Sequence, residues 1–318
     1  MDPTGSFLKT VIERVRGYLD DGDFDAKYTD QFLVNHVIMP GLVDVWSRCS
    51  LSADNPVMLS YGITLVNDQE CYVIPPCVGE VHEIVQYTGN TGSQVNDGIP
   101  TADLYPAHRM SVGGQNWAIE GNMICFRPFP QNLSGNTTWT IRYTTNGDMM
   151  PHYCALTDAN GGTLTTTSSF TLPSAVGTGG LGQIDIRENA YAGQVLRLLN
   201  KAGSPGLTVR EERVIESYNP ATRVCTLRHP FTTNTAGASS YYAYEICPPQ
   251  SQGMVEAVSL ACSLKLGAWR KIAQSHAQML NMQYRSAIKT IGDNLSNMQM
   301  RTGKGWAKDT RDSSGWYP

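Results

Sequence analysis

Charged residues are scarce in this chain of 318 residues, where Asp, Glu, Lys and Arg make up 16% of the total. Typical soluble domains contain roughly 25%. No run of about 18 apolar residues occurs, so no transmembrane helix is predicted. The N-terminus lacks the basic region and the apolar run of a secretory signal. Such a composition, rich in Gly and Thr, is typical of β-rich proteins that stay bound to neighbours.

Closely paired cysteines are lacking as well. In a chain made in the cytosol, we expect scattered cysteines to be free, buried thiols that pack as small apolar side chains. Cys71, Cys77 and His82 form the only compact Cys/His group, and their spacing differs from that of a structural zinc site. No metal ion or other cofactor is therefore predicted. The eight cysteines are Cys49, Cys71, Cys77, Cys125, Cys154, Cys225, Cys247 and Cys262.

The sequence shows no convergent set of catalytic residues. The segment 177–182 fits the G-x-G-x-x-G pattern, but the 184–186 segment that follows it resembles a strand rather than the helix that a dinucleotide site requires. The run 152–154 contains His152 and Cys154 on a predicted strand, where adjacent side chains point to opposite faces, and the sequence shows no further groups that would complete a catalytic set. We therefore predict that the protein is not an enzyme.

Two stretches near the N-terminus have helical periodicity. Gly22, within an acidic run, should end the first helix. The second is predicted to begin at Thr29 or Asp30, either of which can cap it. Pro40 and Gly41 interrupt this second helix, so we expect a kink or a break there. The apolar positions of the first helix are Phe7, Leu8, Val11, Ile12, Val15 and Leu19.

The middle of the chain, from about residue 52 to residue 250, has the features of a β-rich region. Turn-forming pairs of Gly, Pro, Asn and Asp separate short runs of strand-forming residues. Trp139, Ile141 and Tyr143 should share one face, because side chains alternate along a strand. The clearest runs are 71–74, 81–85, 123–126 and 139–143.

One hairpin is well defined within this region. The strands 213–218 and 223–227 are joined through Asn219 and Pro220, a pair that favours a turn. The glycine-rich segment 177–182 is predicted to separate two β-modules. The strand spacing favours a barrel or a sandwich.

A long helical stripe follows the β-rich region. Gly267 is predicted to split or bend it, because glycine weakens a helix interior by about 1 kcal/mol. The segment 301–318 has no such periodicity and is predicted to be an arm. The stripe comprises Val255, Val258, Cys262, Trp269, Ile272, Ala273, His276, Met279 or Leu280, Tyr284, Ile288, Ile291, Leu295 and Met298.

The charge is divided unequally along the chain. From Met254 onward there are nine Lys or Arg and four Asp or Glu, a net charge of +5. The whole chain carries −4, so the remainder carries −9. A basic C-terminal end favours an acidic partner surface or nearby nucleic acid, and a solvated helix face is an equally good explanation.

The predicted fold class is α+β. The helices of 1–50 and 251–300 should form one discontinuous helical bundle, because neither terminal stripe can bury its apolar side alone. A large β-rich barrel or sandwich region is inserted between them, divided into modules at 51–176 and 177–250. Residues 301–318 form the C-terminal arm.

Four features of the sequence carry a resemblance to a known family. They are the helix start at 28–37, the strand-turn-strand phrase at 71–81, the small β-module formed by 213–224 and 242–246, and the closing helix at 279–296 with its basic, aromatic arm. Together they resemble the head-to-tail adaptor proteins (head completion or connector proteins) of phages, especially short-tailed phages. The chain departs from minimal adaptors in its much larger β insertion.

The resemblance implies a structural virion protein of the phage neck. Such a protein forms a dodecameric ring between the portal protein and a downstream tail, nozzle or tail-tube protein. The ring completes the head, and viral DNA passes through its lumen during ejection. The implied location is the virion, with the host cytoplasm during assembly and no membrane.

The resemblance also implies that the C-terminal helix and arm bind the portal. Aromatic anchors among basic residues can supply contact area to a partner surface. The alternative is a frayed tail. The candidate portal-binding residues are Tyr284, Lys289, Arg301, Lys304, Trp306, Lys308, Arg311, Trp316 and Tyr317.

A different class of function stays open at this point. The chain could be a β-rich module of a tail fibre or baseplate that binds host glycans. Exposed aromatic side chains would then act as sugar platforms, with Trp117, Trp139 and the pair Tyr241 and Tyr242 as candidates. The competing interpretation places these aromatics in the core.

Overall fold

The computed structural model describes residues 6–20, 28–51, 58–88, 91–94, 116–127, 138–154, 162–177, 179–199, 211–232, 241–249 and 253–291. Helices lie towards both ends of the chain and antiparallel strands lie between them. This arrangement confirms the predicted α+β class with an inserted β-rich region. Among the helices of these ranges, none has both the length and the apolar character needed to cross a membrane.

The first helix, α1, spans Phe7–Tyr18. Ser6 caps it, since its hydroxyl accepts a hydrogen bond from the backbone N–H of Lys9. The predicted apolar stripe is buried along one side of the helix. The helix ends before Asp20, whose φ of 52° is left-handed and stops helical propagation. The predicted stop at Gly22 lies outside the described residues.

The second helical segment starts where predicted, with Thr29 as its cap. It comprises α2 (Asp30–Leu33), a π-helical turn (Val34–Ile38) and α3 (Met39–Leu51). Pro40 has no N–H to donate, so a regular α-helical bond is lost at this point. The π turn immediately before it accommodates the proline, and the helix is widened rather than broken.

Two helices follow the β-rich region: α4 (Met254–Arg270) and α5 (274–291). The predicted split at Gly267 is wrong. Helix α4 continues through Gly267 to Arg270, and the chain leaves the helix at Lys271, which has a left-handed φ of 55°. Gly267 serves packing instead. A Cβ at this position would lie 2.7 Å from Cδ1 of Ile272, so the absence of a side chain lets Ile272 fold back onto α4.

Helix α4 packs directly against the N-terminal helices. The Glu256 carboxylate accepts hydrogen bonds from Tyr18 and Arg14 of α1. Sγ of Cys262 donates to the Val37 carbonyl at 3.5 Å, across the interface with the π turn. Apolar residues of both termini belong to the same core. The predicted discontinuous bundle is therefore confirmed.

Helix α5 completes the bundle on the side of α3. Leu280, Tyr284 and Ile291 are buried at helical spacing. The Tyr284 hydroxyl donates to the Asp44 carboxylate. Two predicted stripe positions are wrong: Trp269 is 47% exposed and Ala273 is exposed. Of the alternatives Met279 and Leu280, Leu280 is the buried one. Since the chain turns after α4, the helical phase is reset and Leu280 takes the buried position. Leu295 and Met298 lie outside the described residues.

The inserted region contains fifteen strands within the described residues, arranged in three antiparallel sheets. Their orders are β1-β7-β3-β4, β14-β9-β10-β13-β12-β11-β15-β8 and β2-β6-β5. The strands are β1 (Met58–Thr64), β2 (Cys71–Val73), β3 (Val78–Thr88), β4 (Thr91–Gln94), β5 (Asn116–Glu120), β6 (Met123–Arg127), β7 (Thr138–Thr145), β8 (His152–Cys154), β9 (Gly162–Thr166), β10 (Ser169–Thr171), β11 (Val195–Leu198), β12 (Glu211–Asn219), β13 (Val224–Leu227), β14 (Tyr241–Tyr242) and β15 (Tyr244–Cys247).

The four clearest predicted runs all overlap strands of the structure. Trp139, Ile141 and Tyr143 of β7 are buried on one face, in the alternation that the sequence predicts. The hairpin of β12 and β13 forms as expected. Its turn is stabilised by Asn219, whose side-chain oxygen accepts the backbone N–H groups of Ala221 and Thr222.

The glycine-rich segment 177–182 lies next to the largest sheet. Gly177, Gly179 and Gly182 have positive φ angles, and the described residues of the segment lie outside the named helices and strands. The predicted strand at 184–186 is wrong, because this stretch forms no strand and belongs to none of the sheets. The eight-stranded sheet contains strands from both sides of residue 177. The division into modules 51–176 and 177–250 stays a prediction.

The cysteines do not all stay free. Cys71 of β2 and Cys125 of β6 occupy directly opposed positions of neighbouring strands and are joined in a disulfide. The expectation of eight free thiols is therefore wrong, because strand pairing brings together two cysteines that are 54 residues apart in sequence. The other six are free and buried, as expected.

A buried carboxylate connects the largest sheet to the bundle. Glu245 of β15 is fully buried and accepts hydrogen bonds from the Ser6 hydroxyl at 2.6 Å and from the backbone N–H groups of Phe7 and Leu8. It therefore satisfies N–H groups that the first turn of α1 cannot pair internally. The sheet and the bundle are held together at this point.

Candidate functional site

The outer face of α5 is the clearest candidate surface for a partner. Met279 and Met282 are 44% and 67% exposed and lie three residues apart, so they are neighbours on one side of the helix. The opposite side is buried at Leu280 and Tyr284, and Tyr284 is hydrogen-bonded to Asp44 of α3. Flexible methionine side chains suit surfaces that adapt to a partner.

Positive charge continues this face towards the end of α5. Arg285 and Lys289 follow Met282 at helical spacing and are exposed. The segment 274–291 contains no Asp or Glu. The α5 face, which we define as Met279, Met282, Arg285 and Lys289, is therefore apolar at one end and cationic at the other.

An exposed aromatic side chain, Trp269, lies at the end of α4. The Trp269 ring packs edge-on against Phe32, with the centroids 6.4 Å apart. The Lys265 ammonium lies 5.8 Å from the Trp269 ring centroid. These contacts fix the orientation of the indole while leaving about half of it exposed. Trp269 adds apolar area to the surface of the hairpin formed by α4 and α5.

The structure separates the predicted portal-binding residues into three groups. Tyr284 is only 4% exposed and its hydroxyl is bound to Asp44, so it does not lie on the exposed α5 face. Burial, together with this hydrogen bond, raises the pKa of Tyr284. Lys289 is exposed on the α5 face. The remaining candidates lie outside the described residues: Arg301, Lys304, Trp306, Lys308, Arg311, Trp316 and Tyr317.

The buried histidine of the β region is not placed for acid–base chemistry with an external substrate. His152 is fully buried, and its Nε2 lies 3.1 Å from the Tyr244 hydroxyl. Burial lowers the pKa of His152 to about 3. Burial also raises the pKa of Cys154 to about 11, so its thiol is protonated at neutral pH. This pair serves packing.

The Cys/His group considered in the sequence does not converge. Cys77 is buried, with its Sγ 3.6 Å from the Tyr143 hydroxyl. His82 is bound instead to the Thr144 hydroxyl, at 3.3 Å. Cys71 points elsewhere and is joined to Cys125. The three side chains therefore do not share one ligand position.

A cleft of about 550 Å³ lies between β1, β2 and the hairpin of β12 and β13. Several of its polar groups are engaged within the protein. Asn189 accepts the backbone N–H of Tyr218, and Gln69 donates to the Cys71 carbonyl. The Tyr72 hydroxyl pairs with the backbone of Val66. The cleft is thus a polar surface groove without a convergent catalytic set among its described residues.

The proposed sugar platforms are not available as predicted. Trp117 is 7% exposed and Trp139 is 5% exposed, and both belong to the core. Trp139 packs edge-on against Phe126, with centroids 5.3 Å apart. The competing interpretation, which places these two tryptophans in the core, is therefore confirmed. The side chains of Tyr241 and Tyr242 lie outside the described residues.

Sequence reasoning missed Met282 and Arg285 as surface residues. The helical period contained the signal, since both fall opposite the buried positions Leu280 and Tyr284. It also missed the grouping of Cys71, Glu120 and Cys125. No local spacing could reveal this group, because a strand register brings the residues together.

No protein-family model matches the sequence, and no curated protein matches it significantly.

Proposed function

We propose that this protein is a structural, ring-forming adaptor of a phage neck, placed between the portal and the tail. In this function the helical bundle supplies the lateral contacts between copies, as a dodecameric ring. The β region meets the downstream tail component, and DNA passes through the lumen. The protein acts through its surfaces and carries out no chemical reaction.

The proposal rests on one observation. Helices from the N-terminal and C-terminal parts of the chain form one bundle, and α5 presents an exposed face on it. Helix α5 is fixed on its inner side by Leu280, Tyr284 and Ile291. Its outer side presents methionines and cations without any carboxylate. A rigid helix with this chemistry suits an acidic, partly apolar protein surface.

The predicted arm follows α5 in the sequence and adds basic and aromatic residues to those of the α5 face. Residues 301–318 contain four Lys or Arg together with Trp306, Trp316 and Tyr317. Aromatic and basic anchors of this kind dominate many protein interfaces. We assign the arm, together with Lys289, to portal binding, and the β region to the tail side.

The proposal is tested by cosedimentation with portal rings of the same virus. We expect the full chain to sediment with the portal and the variant lacking 301–318 to stay in the supernatant. A second variant, Met279→Asp with Met282→Asp, should weaken the association by about tenfold or more, since each side chain contributes apolar contact. Negative-stain images of the mixture should show a ring stacked on the portal.

A matched control uses Val66→Asp. Val66 is 52% exposed and apolar, but it lies in the β region rather than on the bundle. This variant should bind the portal like the unmodified chain. Unchanged cosedimentation of the variant lacking 301–318 would contradict the assignment of the arm. The absence of any ring in the images would contradict the adaptor function.

A further inference from the structure

Three potential ligands lie on one face of the sheet β2-β6-β5. Cys71 and Cys125 are directly opposed, and Cys125 also faces Ala118 across β5. Glu120 lies two residues beyond Ala118, so it projects from the same face as the cysteines. The two Sγ atoms and a carboxylate oxygen of Glu120 all lie within 4.8 Å of one another.

The environment gives this group access to solvent from one side. Cys125 is fully buried, Cys71 is half-buried and Glu120 is exposed. Sγ of Cys125 lies 3.8 Å from Oε2 of Glu120. An ion can therefore approach along the carboxylate and keep a water molecule as a further ligand.

The chemistry of these donors matches a soft divalent cation. Zinc binds thiolate sulfur at about 2.3 Å and carboxylate oxygen at about 2.0–2.2 Å, and it accepts three protein ligands with a water in the fourth position. Two sulfurs bound to one tetrahedral zinc ion are about 3.8 Å apart on these bond lengths. Rotation of the two cysteine side chains can supply this separation without a change in strand register.

We propose that reduced Cys71 and Cys125, together with Glu120, form a binding site for a soft divalent cation such as Zn²⁺. The disulfide and the bound cation are alternative states of one site. Binding releases the two thiol protons as both sulfurs coordinate the ion. Formation of the disulfide from the thiols transfers two electrons and two protons to a small-molecule disulfide, which is reduced to two thiols.

The test uses the full-length protein, reduced with a phosphine, desalted without oxygen and titrated with Zn²⁺ against a chromophoric chelator. We expect one tightly bound ion per chain. Cys71→Ser with Cys125→Ser should abolish this binding, and Glu120→Gln should weaken it about tenfold. Oxidation with a small-molecule disulfide before the titration should also abolish it.

Two controls and a spectroscopic signature separate ligation from folding. Cys154→Ala removes a buried thiol elsewhere, and Glu80→Gln removes an exposed carboxylate elsewhere; neither should change zinc affinity. Cd²⁺ added to the reduced protein should produce a sulfur-to-cadmium absorption band that the double serine variant lacks. Equal zinc binding by the reduced protein and the double serine variant would overturn the proposal. So would the absence of the cadmium band in the reduced protein.

Discussion

Glu245 shows how one buried residue can join two parts of the molecule. Its carboxylate accepts one hydroxyl and two backbone N–H groups at the start of α1. Burial is the main reason that the pKa of Glu245 is raised, while the hydrogen bonds from Ser6, Leu8 and Phe7 act in the opposite direction. The residue is thus costly to bury and costly to remove.

Replacing Glu245 by alanine should destabilise the protein by about 3 kcal/mol, because the first-turn N–H groups of α1 lose their buried acceptor. The free energy of unfolding, measured by urea denaturation, checks this value. Glu212→Ala is the control in the same sheet. Glu212 forms an ion pair with Arg197, but its side chain is exposed to solvent. That variant should lose less than about 1 kcal/mol. Equal losses in the two variants would contradict the capping role.

His152 should make the stability of the protein depend on pH. The unfolded chain takes up a proton near the ordinary histidine pKa of about 6.5, whereas burial keeps folded His152 neutral until its pKa of about 3. The contribution of neutral His152 to the free energy of unfolding is therefore present above about pH 6.5. It is lost as the pH falls from there towards the folded pKa of about 3. Between pH 7 and pH 5 the loss from this residue should be about 2 kcal/mol.

Denaturation curves at pH 7 and pH 5 measure this effect. His152→Gln should have a flatter pH dependence than the unmodified protein, whatever its absolute stability. Thr167→Ala, an exposed substitution that removes no titratable group, should leave the dependence as it was. The pKa of Glu245 is raised, so its contribution to stability increases as the pH falls towards its ordinary pKa, opposite to that of His152. This contribution is the same in all three proteins. A slope that His152→Gln does not reduce would contradict this account.

At the scale of elements, the packing of α3 against α4 depends on one glycine. A Cβ on Gly41 would lie 2.7 Å from Sγ of Cys262, while its next neighbours would be at ordinary distances of 3.8 Å and 3.9 Å. The close approach of the two helices is thus limited by one sulfur atom. This contact joins residues from opposite ends of the chain.

Gly41→Ala alone should destabilise the protein by about 1–3 kcal/mol through overpacking. In the background of Cys262→Ala the same change should be nearly neutral, because the conflicting sulfur is absent. A double-mutant cycle of unfolding free energies measures the coupling. Gly17→Ala is the control, since nothing lies within 4 Å of its added Cβ. That change should stabilise α1 by up to about 1 kcal/mol. A coupling of zero would contradict direct packing of the two helices.

At the scale of the whole molecule, the two termini depend on each other for burial. The inner face of α1, with Val11 and Val15, lies in the same core as Val258 and Leu266 of α4. A single α1 could not bury this face against solvent. The β insertion therefore leaves from and returns to one helical body.

Truncation after Pro249 should expose the inner face of α1. We expect the amides of α1 to exchange hydrogen about 100-fold faster or more, since each lost apolar contact contributes about 1.5–3 kcal/mol. Hydrogen-exchange mass spectrometry measures this change, with peptides of β12 and β13 as the internal reference that keeps its protection. Unchanged exchange in α1 would show that α4 and α5 do not stabilise it.

Local sequence patterns were sufficient to predict the helices and many of the strands. The periodicity of α1, the cap at Thr29, the alternation in β7 and the turn at Asn219 are properties of short segments, and each one appears as predicted. The packing of the N-terminal helices against the C-terminal helices was also predictable, because an apolar stripe must be buried against another element. Of the predicted site, only Lys289 could be placed on an exposed surface from this information.

Contacts between distant segments decided the remainder. The end of α4 depends on Ile272 folding back onto Gly267, and Trp269 near that end is 47% exposed. Strand register places Cys71 opposite Cys125, and sheet order brings Glu245 to the start of α1. Periodicity along the chain reports which side of a segment is buried. It carries no information about which segment lies opposite, and burial, hydrogen bonding and ligand geometry in this protein are set by that neighbour.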